Sequence, residues 1–145
     1  MRPGKDITIF ACGIMVSKAL EAAEELKKEK IDCRVVNLHT IKPIDKDLIV
    51  KCAQETGAAV TAEEHSIIGG LGGAVAEVLV ENVCVPMIRV GIKDMFGESG
   101  KPEELLVKYG LTVESIVNAV KTVLNRACRL RPEGPQPEGQ AGRKK

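Results

Sequence analysis

Aromatic side chains, paired cysteines and an excess charge of either sign are all scarce in this sequence. The aromatic residues are Phe10, Phe96 and Tyr109, and there is no tryptophan. Stacking on single-stranded nucleic acid needs aromatic rings, so this class of binder is disfavoured. The 21 basic and 20 acidic residues give a net charge of +1, which also disfavours a general nucleic-acid binder.

Metal-ligand spacings and long apolar runs are missing as well. The five cysteines form no CxxC pair and the two histidines no HxxxH spacing, so a zinc or dithiol site lacks support. We expect reduced thiols, mostly buried as small hydrophobic side chains. No apolar run is long enough to span a bilayer, and MRPGKDITIFA has no signal-peptide core. These features predict a cytoplasmic protein without membrane contact.

Strand-like and helix-like patterns alternate along the chain. Apolar residues recur at three- and four-residue steps after each of the first three predicted strands, and two more helical segments follow the fourth. This alternation predicts an α/β fold with a largely parallel sheet covered by helices on both faces. The predicted strands are short apolar and β-branched runs at Ile7–Ala11, Cys33–Leu38, Ala58–Thr61 and Pro86–Val90.

Local signals also predict where helices begin and end, and where the domain stops. Asp45 and Thr112 are predicted N-caps, and Gly57 is a predicted C-terminal helix residue. We assign residues 1–128 to the folded domain. Residues 129–145 include the run RPEGPQPEGQAGRKK, which is rich in Pro, Gly and charge and predicts a disordered tail.

The stretch TAEEHSIIGGLGGAVAEVLVE, from Thr61 to Glu81, combines two carboxylates, a histidine and four glycines ahead of a helix-like run. It follows the third predicted strand, which places it at the carboxyl edge of the sheet, where open α/β sheets bind ligands. Three interpretations are open: an active site, an anion-binding turn, or a tight connection. Free N–H groups at a helix start favour anions, and glycines let backbone or phosphate approach closely.

The candidate interface or anion-binding residues in this stretch are Glu64, His65, Gly69, Gly70 and Gly72. The glycines match neither GxGxxG nor a P-loop, which favours turn geometry and helix packing over phosphate binding. The EEH triplet could provide general acid–base groups, but two glutamates ahead of a helix N-terminus are also favourable electrostatically. We therefore favour a capping or interface role over catalysis and assign no catalytic residue.

Three separated motifs together resemble one known family. They are NLHTIKPID, VTAEEHSIIGGLGGAVAEVL and MFGESGKPEELLVKYGLT, and they occur in the expected order. They are similar to the C-terminal domain of transketolase, which recurs in 1-deoxyxylulose-5-phosphate synthases and in the β subunits of 2-oxo acid dehydrogenases. The GKPEELLVKYGLT stretch favours the transketolase branch. The resemblance covers approximately Gly4 to Leu124.

The resemblance implies a three-layer α/β/α domain with a five-stranded mixed sheet, in which one edge strand is antiparallel. A fifth strand is therefore expected, either near the start of the chain or between Gly91 and Phe96. The resemblance also implies an enzyme of the pentose phosphate pathway type that transfers two-carbon ketol units between sugar phosphates. Such an enzyme uses thiamine diphosphate and a divalent cation, Mg or Ca, bound between two other domains.

The cofactor motifs of those two domains do not occur in this sequence. It contains no GDG metal motif and no segment resembling the pyrimidine domain, so we expect this chain to bind no cofactor and to be inactive alone. The expected partner is a chain or set of domains that carries the diphosphate and pyrimidine domains, in a dimer or hetero-oligomer. We expect either a fragment or a split subunit. The alternative function is a free-standing regulatory module that binds a phosphate or nucleotide at the glycine turn.

Overall fold

The sheet consists of four parallel strands. The computed structural model describes residues 1–130. Its strands are β1 Ile7–Ala11, β2 Cys33–Asn37, β3 Ala59–Ser66 and β4 Met87–Ile92. They lie in the order β2-β1-β3-β4, and all three adjacent pairs are parallel. Every residue of β1 is buried, as expected for a central strand that is covered on both faces.

Helices cover both faces of this sheet, which confirms the predicted α/β/α layering. The first and fifth helices pack with the side chains of one face, including Ile9 and Val60. The second and third pack with the other face, around Phe10. The helix bounds are α1 Met15–Lys28, α2 Lys46–Thr56, α3 Leu71–Asn82, α4 Pro102–Lys108 and α5 Val113–Leu130.

The predicted helix ends are confirmed by their local geometry. The Asp45 carboxylate accepts a hydrogen bond from Leu48 N at 3.0 Å, and Thr112 Oγ1 accepts one from Ser115 N at 3.2 Å. Gly57 ends α2 with φ 71°, in the left-handed region that favours glycine. These caps satisfy terminal backbone groups that helices leave without internal partners.

The prediction of a fifth strand is wrong for the described residues, which form a four-stranded sheet. The antiparallel element is a single bridge, in which Arg2 N donates to Val35 O at 3.2 Å and Val35 N donates to Arg2 O at 2.9 Å. Pro3 follows and has no N–H to continue the ladder, which explains why the bridge stays isolated. At the other proposed place, Gly91 and Ile92 belong to β4.

The thiols also differ from expectation, whereas the assigned domain boundary stays a prediction. Helix α5 continues to Leu130, two residues beyond the assigned boundary, and the rest of the predicted tail lies outside the described residues. The thiols are less buried than expected: Cys33 and Cys52 are buried, Cys12 is half-buried, and Cys84 and Cys128 are exposed. Within residues 1–130, no helix has both the length and the apolar character that crossing a bilayer requires.

Candidate functional site at the carboxyl edge of the sheet

Strand β3 is longer than predicted and carries the EEH triplet. We expected this triplet to follow the strand, but β3 runs to Ser66. Its pairing with β4 passes through a bulge, with Ala62 opposite Val90 and Ser66 opposite Ile92. The bulge absorbs the extra residues and lets pairing resume, so that the strand reaches past the end predicted from apolar residues alone.

The triplet divides between the interior and the surface. Glu63 is fully buried, whereas Glu64 and His65 are exposed. His65 Nδ1 lies 2.9 Å from Ser66 O, the carbonyl of the next residue. Successive side chains of a strand point to opposite faces, which explains why neighbouring glutamates have different surroundings.

The buried Glu63 carboxylate caps helix α3. Its Oε2 accepts a hydrogen bond from Leu71 N at 2.6 Å, and its Oε1 accepts one from Gly72 N at 2.8 Å. The N-cap residue itself, Gly70, has no side chain to perform this role. A carboxylate at a helix N-terminus is stabilised by the exposed amide dipoles and by charge-assisted hydrogen bonds. The capping role predicted for the triplet is thus performed by Glu63 from the neighbouring strand.

Three glycines leave the space that this carboxylate fills. A Cβ at Gly70 would overlap Glu63 Oε2, and one at Gly72 would lie 2.9 Å from Glu63 Oε1. A Cβ at Gly91, on β4, would lie 3.1 Å from Glu63 Cγ. Gly69 has φ 75°, where L side chains are strained. We call Glu63, Gly70, Leu71, Gly72 and Gly91 the Glu63 cradle.

Sequence reasoning missed two residues beside the cradle. Arg89 donates from Nη1 to Ile67 O at 2.8 Å, which ties β4 to the loop after β3. Burial, and secondarily the negative charge of Glu63, raise the pKa of the Cys12 thiol above its ordinary value. An arginine inside the apolar run PMIRV was the available signal for Arg89. Cys12 gave no comparable signal.

The Glu63 carboxylate has little capacity to bind a ligand or to act as an acid or base, because its hydrogen bonds to the backbone already occupy it. Both of its oxygens accept backbone hydrogen bonds, and its side chain is inaccessible to solvent. Within residues 1–130, no group of three or more His, Cys, Asp or Glu side chains is arranged to hold a metal ion. These donors therefore do not fit a divalent cation carrying a diphosphate.

Exposed apolar side chains follow every strand at this same edge. Parallel strands bring their carboxyl ends to one edge of the sheet, so the four following loops lie along that edge in the order of the strands. Phe96 is the most exposed of these side chains, with 97% of its surface accessible. We call this set the apolar rim: Ile14 after β1, Ile41 after β2, Ile68 after β3, and Met95 and Phe96 after β4.

Comparison with known proteins gives concordant matches. A family model described as transketolase, C-terminal domain, matches residues 1–116. The chain is 52% identical over 126 residues to the 6-deoxy-6-sulfo-D-fructose transketolase subunit of Clostridium sp. (strain MSTE9), covering 87% of this chain and 39% of that protein. It is 43% identical over 121 residues to the transketolase of Rattus norvegicus, covering 83% of this chain and 19% of that protein.

A solved structure agrees with this sequence similarity. The chain resembles a split gene transketolase, described as an inactive beta4 tetramer, with a TM-score of 0.82 and 56% identity. The match covers 86% of this chain and 41% of that chain. This chain therefore spans well under half of the length of each of these three relatives.

Proposed function

This chain belongs to the transketolase C-terminal domain family, and we propose that it is the assembly domain of a transketolase-type enzyme and binds no cofactor itself. The assembled enzyme would transfer two-carbon ketol units between sugar phosphates. Thiamine diphosphate and Mg²⁺ or Ca²⁺ would be held by the other domains, on the same or a separate polypeptide. The observation that carries this proposal is the apolar rim.

The apolar rim has the properties of a docking surface. Ile68 is 61% exposed and Phe96 97% exposed, although both are large apolar side chains. Clustered exposed apolar residues are costly in water and typically mark a protein–protein contact. Because four separate loops contribute, the rim extends across the whole carboxyl edge. We propose that the cofactor-bearing domains pack there, in a dimer or hetero-oligomer.

A groove beside the rim provides space for a partner side chain. It has a volume of about 560 Å³ and lies between the loop after β2 and helix α3, which lines it as far as Glu81. Ile41 lines one wall, and Gly69, Gly70 and Gly73 line the other. A Cβ at Gly73 would meet no atom within 4 Å, so this wall presents bare backbone to a partner.

The exposed polar residues of β3 belong to the same proposed interface. Glu64 and His65 lie four and three residues before the rim residue Ile68 and are exposed. We propose that they form part of its polar margin, together with the exposed Gly69. Gly70 and Gly72, also expected at an interface or anion site, are instead buried in the Glu63 cradle. His65→Ala should weaken association with the cofactor-bearing domains about threefold in analytical ultracentrifugation. Unchanged association would remove His65 from the interface.

The alternative, a phosphate or nucleotide site at the glycine turn, has weaker support. The amides of Leu71 and Gly72, which would bind a phosphate, already donate to Glu63. The carboxylate that occupies them would also repel an anion. Phosphate-ester titrations followed by amide NMR shifts of residues 67–74 test this alternative directly. We expect no saturable shift.

Reconstitution tests the proposed function as a whole. The full chain is mixed with the polypeptide that carries the diphosphate and pyrimidine domains, and ketol transfer is measured with thiamine diphosphate and Mg²⁺. We expect activity from the mixture, none from this chain alone, and no thiamine diphosphate binding by this chain in calorimetry. Where both parts occur in one polypeptide, deletion of residues 1–130 should abolish assembly.

Two outcomes would contradict the proposal. One is ketol transfer or thiamine diphosphate binding by this chain alone. The other is full activity and normal assembly of the cofactor-bearing domains without this domain.

Val80→Asp serves as the matched control for rim variants, because Val80 is 84% exposed on α3 but lies outside the rim.

A further inference from the structure

Helix α3 and its N-cap present one continuous face to the groove between α3 and the loop after β2. The residues of this face recur at three- and four-residue steps, which place them in one row about 16 Å long, or about three helical turns. A Cβ at Gly73 would meet no atom within 4 Å, so another helix can approach closely there. We call this face the α3 row: Gly70, Gly73, Ala74, Glu77, Val78 and Glu81.

The α3 row carries negative charge that the chain does not neutralise. Glu77 and Glu81 are exposed, and neither belongs to an ion pair within residues 1–130. Like charges four residues apart on a helix repel each other. Glu81 also lies in the last turn of α3, where the helix dipole disfavours a negative charge and no basic residue is present. This wall of the groove is therefore unfavourable in the single chain.

The opposite wall of the groove carries positive charge that is also unpaired. Lys42 and Lys46 line it, are exposed, and form no ion pair in the described part of the chain. Lys46 is the first residue of α2, where the helix dipole disfavours a positive charge. The Asp45 carboxylate caps Leu48 N, and Asp47 does not line the groove. The two walls therefore have opposite charges, each placed against its local helix dipole.

We propose that this groove receives helix α3 of a second copy of the chain, packed antiparallel about a two-fold axis that passes near Gly73. A two-fold contact is self-complementary, so each interaction occurs twice. Glu77 and Glu81 of each copy would meet Lys42 and Lys46 of the other. The contact therefore pairs the four charges that each single chain leaves unpaired in this groove.

The direction of packing follows from where the charges lie along α3. The loop after β2 and the start of α3 are both at the carboxyl edge of the sheet, so Lys42 and Lys46 lie near the start of the helix. The two glutamates lie in its second half. An antiparallel partner places the second half of one helix beside the start of the other, with acid against base. A parallel partner would place Glu81 beside its own counterpart, which is repulsive.

The groove also offers apolar surface to the second copy. Ile41, Pro43 and Ile44 line it beside the lysines, and Ile41 is 40% exposed. A helix packed in the groove would remove these side chains from water, which adds a hydrophobic part to the contact. A row of three turns is smaller than the roughly 800 Å² per partner of a standard interface, so we expect a weak dimer with a Kd of about 100 μM.

This contact between copies is separate from the docking proposed at the apolar rim. The groove and the rim share Ile41, whereas Met95 and Phe96 of the rim do not line the groove. The test below uses this chain alone, without the cofactor-bearing polypeptide. Its failure would therefore leave the rim proposal unaffected, and failure at the rim would not affect the contact between copies.

Sedimentation velocity of the full chain, from about 10 μM to 1 mM, measures the proposed dimer directly. We expect a monomer–dimer equilibrium that weakens as salt is added, because ion pairs contribute to it. Glu77→Lys/Glu81→Lys and Lys42→Glu/Lys46→Glu should each weaken it at least about tenfold. Glu21→Lys/Glu25→Lys is the matched control, because this exposed pair has the same spacing on α1 and should leave the dimer unchanged.

Mixing the two double variants gives the sharpest test of the pairing. One variant has two basic walls and the other has two acidic walls, so a mixed dimer regains every ion pair. We expect the mixture to dimerise at about the parental affinity, although neither variant does so alone. Lys42→Glu/Lys46→Glu mixed with Glu21→Lys/Glu25→Lys has the same net charges but should not dimerise, which separates specific pairing from general attraction.

A bulky side chain at the crossing point tests the packing independently of charge. Gly73→Leu places its Cβ in open space, so the chain should fold, but the dimer should weaken at least about tenfold. Three results would overturn the proposal. They are a parent chain that stays monomeric up to about 1 mM, a mixture of the double variants that does not dimerise, and a dimer that Gly73→Leu leaves unchanged.

Discussion

The Glu63 cradle and the segment formed by residues 93–108 lie side by side at the carboxyl edge, yet they are built in opposite ways. In the cradle, a fully buried carboxylate has both oxygens hydrogen-bonded to backbone amides. In residues 93–108, helix α4 buries no residue and Phe96 is almost fully exposed. Leu106 is half-buried against the core, and polar contacts link parts of the segment, with Lys108 Nζ 2.5 Å from Glu98 Oε2 and Tyr109 Oη 3.3 Å from Phe96 O.

This difference separates stability from recognition. Buried charge without a partner is costly, so changes in the cradle should act on folding. Exposed apolar residues that contact nothing in the chain contribute little to folding, so changes at Phe96 should act on association. The glycine-rich stretch that first suggested a ligand site thus mainly allows helix α3 to pack closely on the sheet.

Removal of the cradle carboxylate should have the largest effect on stability. Glu63→Ala leaves the amides of Leu71 and Gly72 buried without their acceptor, and should lower the free energy of unfolding by about 3 kcal/mol. Glu63→Gln keeps one acceptor but places an NH₂ group against an amide, and should cost about 2 kcal/mol. Urea titration followed by circular dichroism measures both. Equal stability of Glu63→Ala and the parent chain would contradict the capping role.

Matched glycine substitutions sharpen the contrast within one stretch. Gly70→Ala forces a Cβ onto the Glu63 carboxylate and should lower the free energy of unfolding by about 2 kcal/mol. Gly73→Ala meets no atom within 4 Å and lies inside helix α3, so it should raise stability by about 0.8 kcal/mol. The same urea titration applies. Equal changes in stability at the two positions would mean that contact with the Glu63 carboxylate is not the reason why position 70 requires glycine.

The buried thiol of β2 should make stability depend on pH in alkaline solution. Burial, opposed by the charge of Arg2 and assisted by those of Asp32 and Asp6, raises the pKa of Cys33 to about 12. The unfolded thiol loses its proton near its ordinary pKa of 9.0, so between pH 9 and 12 the folded state holds more protons. Stability should fall with rising pH there, by at most about 1.4 kcal/mol per pH unit.

A Cys33→Ala variant isolates this thiol from the lysines and the tyrosine that titrate in the same range. The difference in unfolding free energy between parent and variant, measured from pH 8 to 11, should change steadily above pH 9. A difference that stays constant with pH would show that the thiol does not cause the slope.

The smallest effect on stability is expected at the rim. Phe96→Asp should change the free energy of unfolding by less than about 0.5 kcal/mol, because the side chain is 97% exposed. Thermal melts of the full chain alone measure this. A loss of stability comparable to that of Glu63→Ala would show that residues 93–108 stabilise the fold. It would contradict the proposal that the cradle serves stability and this segment serves association.

Local sequence patterns predicted the regular parts of this fold. The apolar runs located all four described strands, and Asp45, Gly57 and Thr112 cap helices as predicted, because each depends on neighbours within a few residues. The end of β3 was predicted too early. Its last residues are polar, and their pairing depends on a bulge opposite β4 that local pattern does not reveal.

The site was harder to predict because its contacts are not local. Glu63 finds its partners eight and nine residues later, at Leu71 and Gly72, and it packs against Gly91 on another strand. The EEH triplet indicated a cap, but only the fold shows which glutamate performs it. The expected antiparallel strand came from the family resemblance and not from the residues, and Pro3 limits it to one bridge.

The most direct test of the separation between stability and recognition is sedimentation velocity of the Ile68→Asp/Phe96→Asp double variant, mixed with the polypeptide that carries the thiamine diphosphate-binding domains. We expect a folded chain whose association is at least about tenfold weaker than that of the parent, while Val80→Asp associates normally. Association of the double variant at parental affinity would contradict the assignment of the apolar rim as the docking surface.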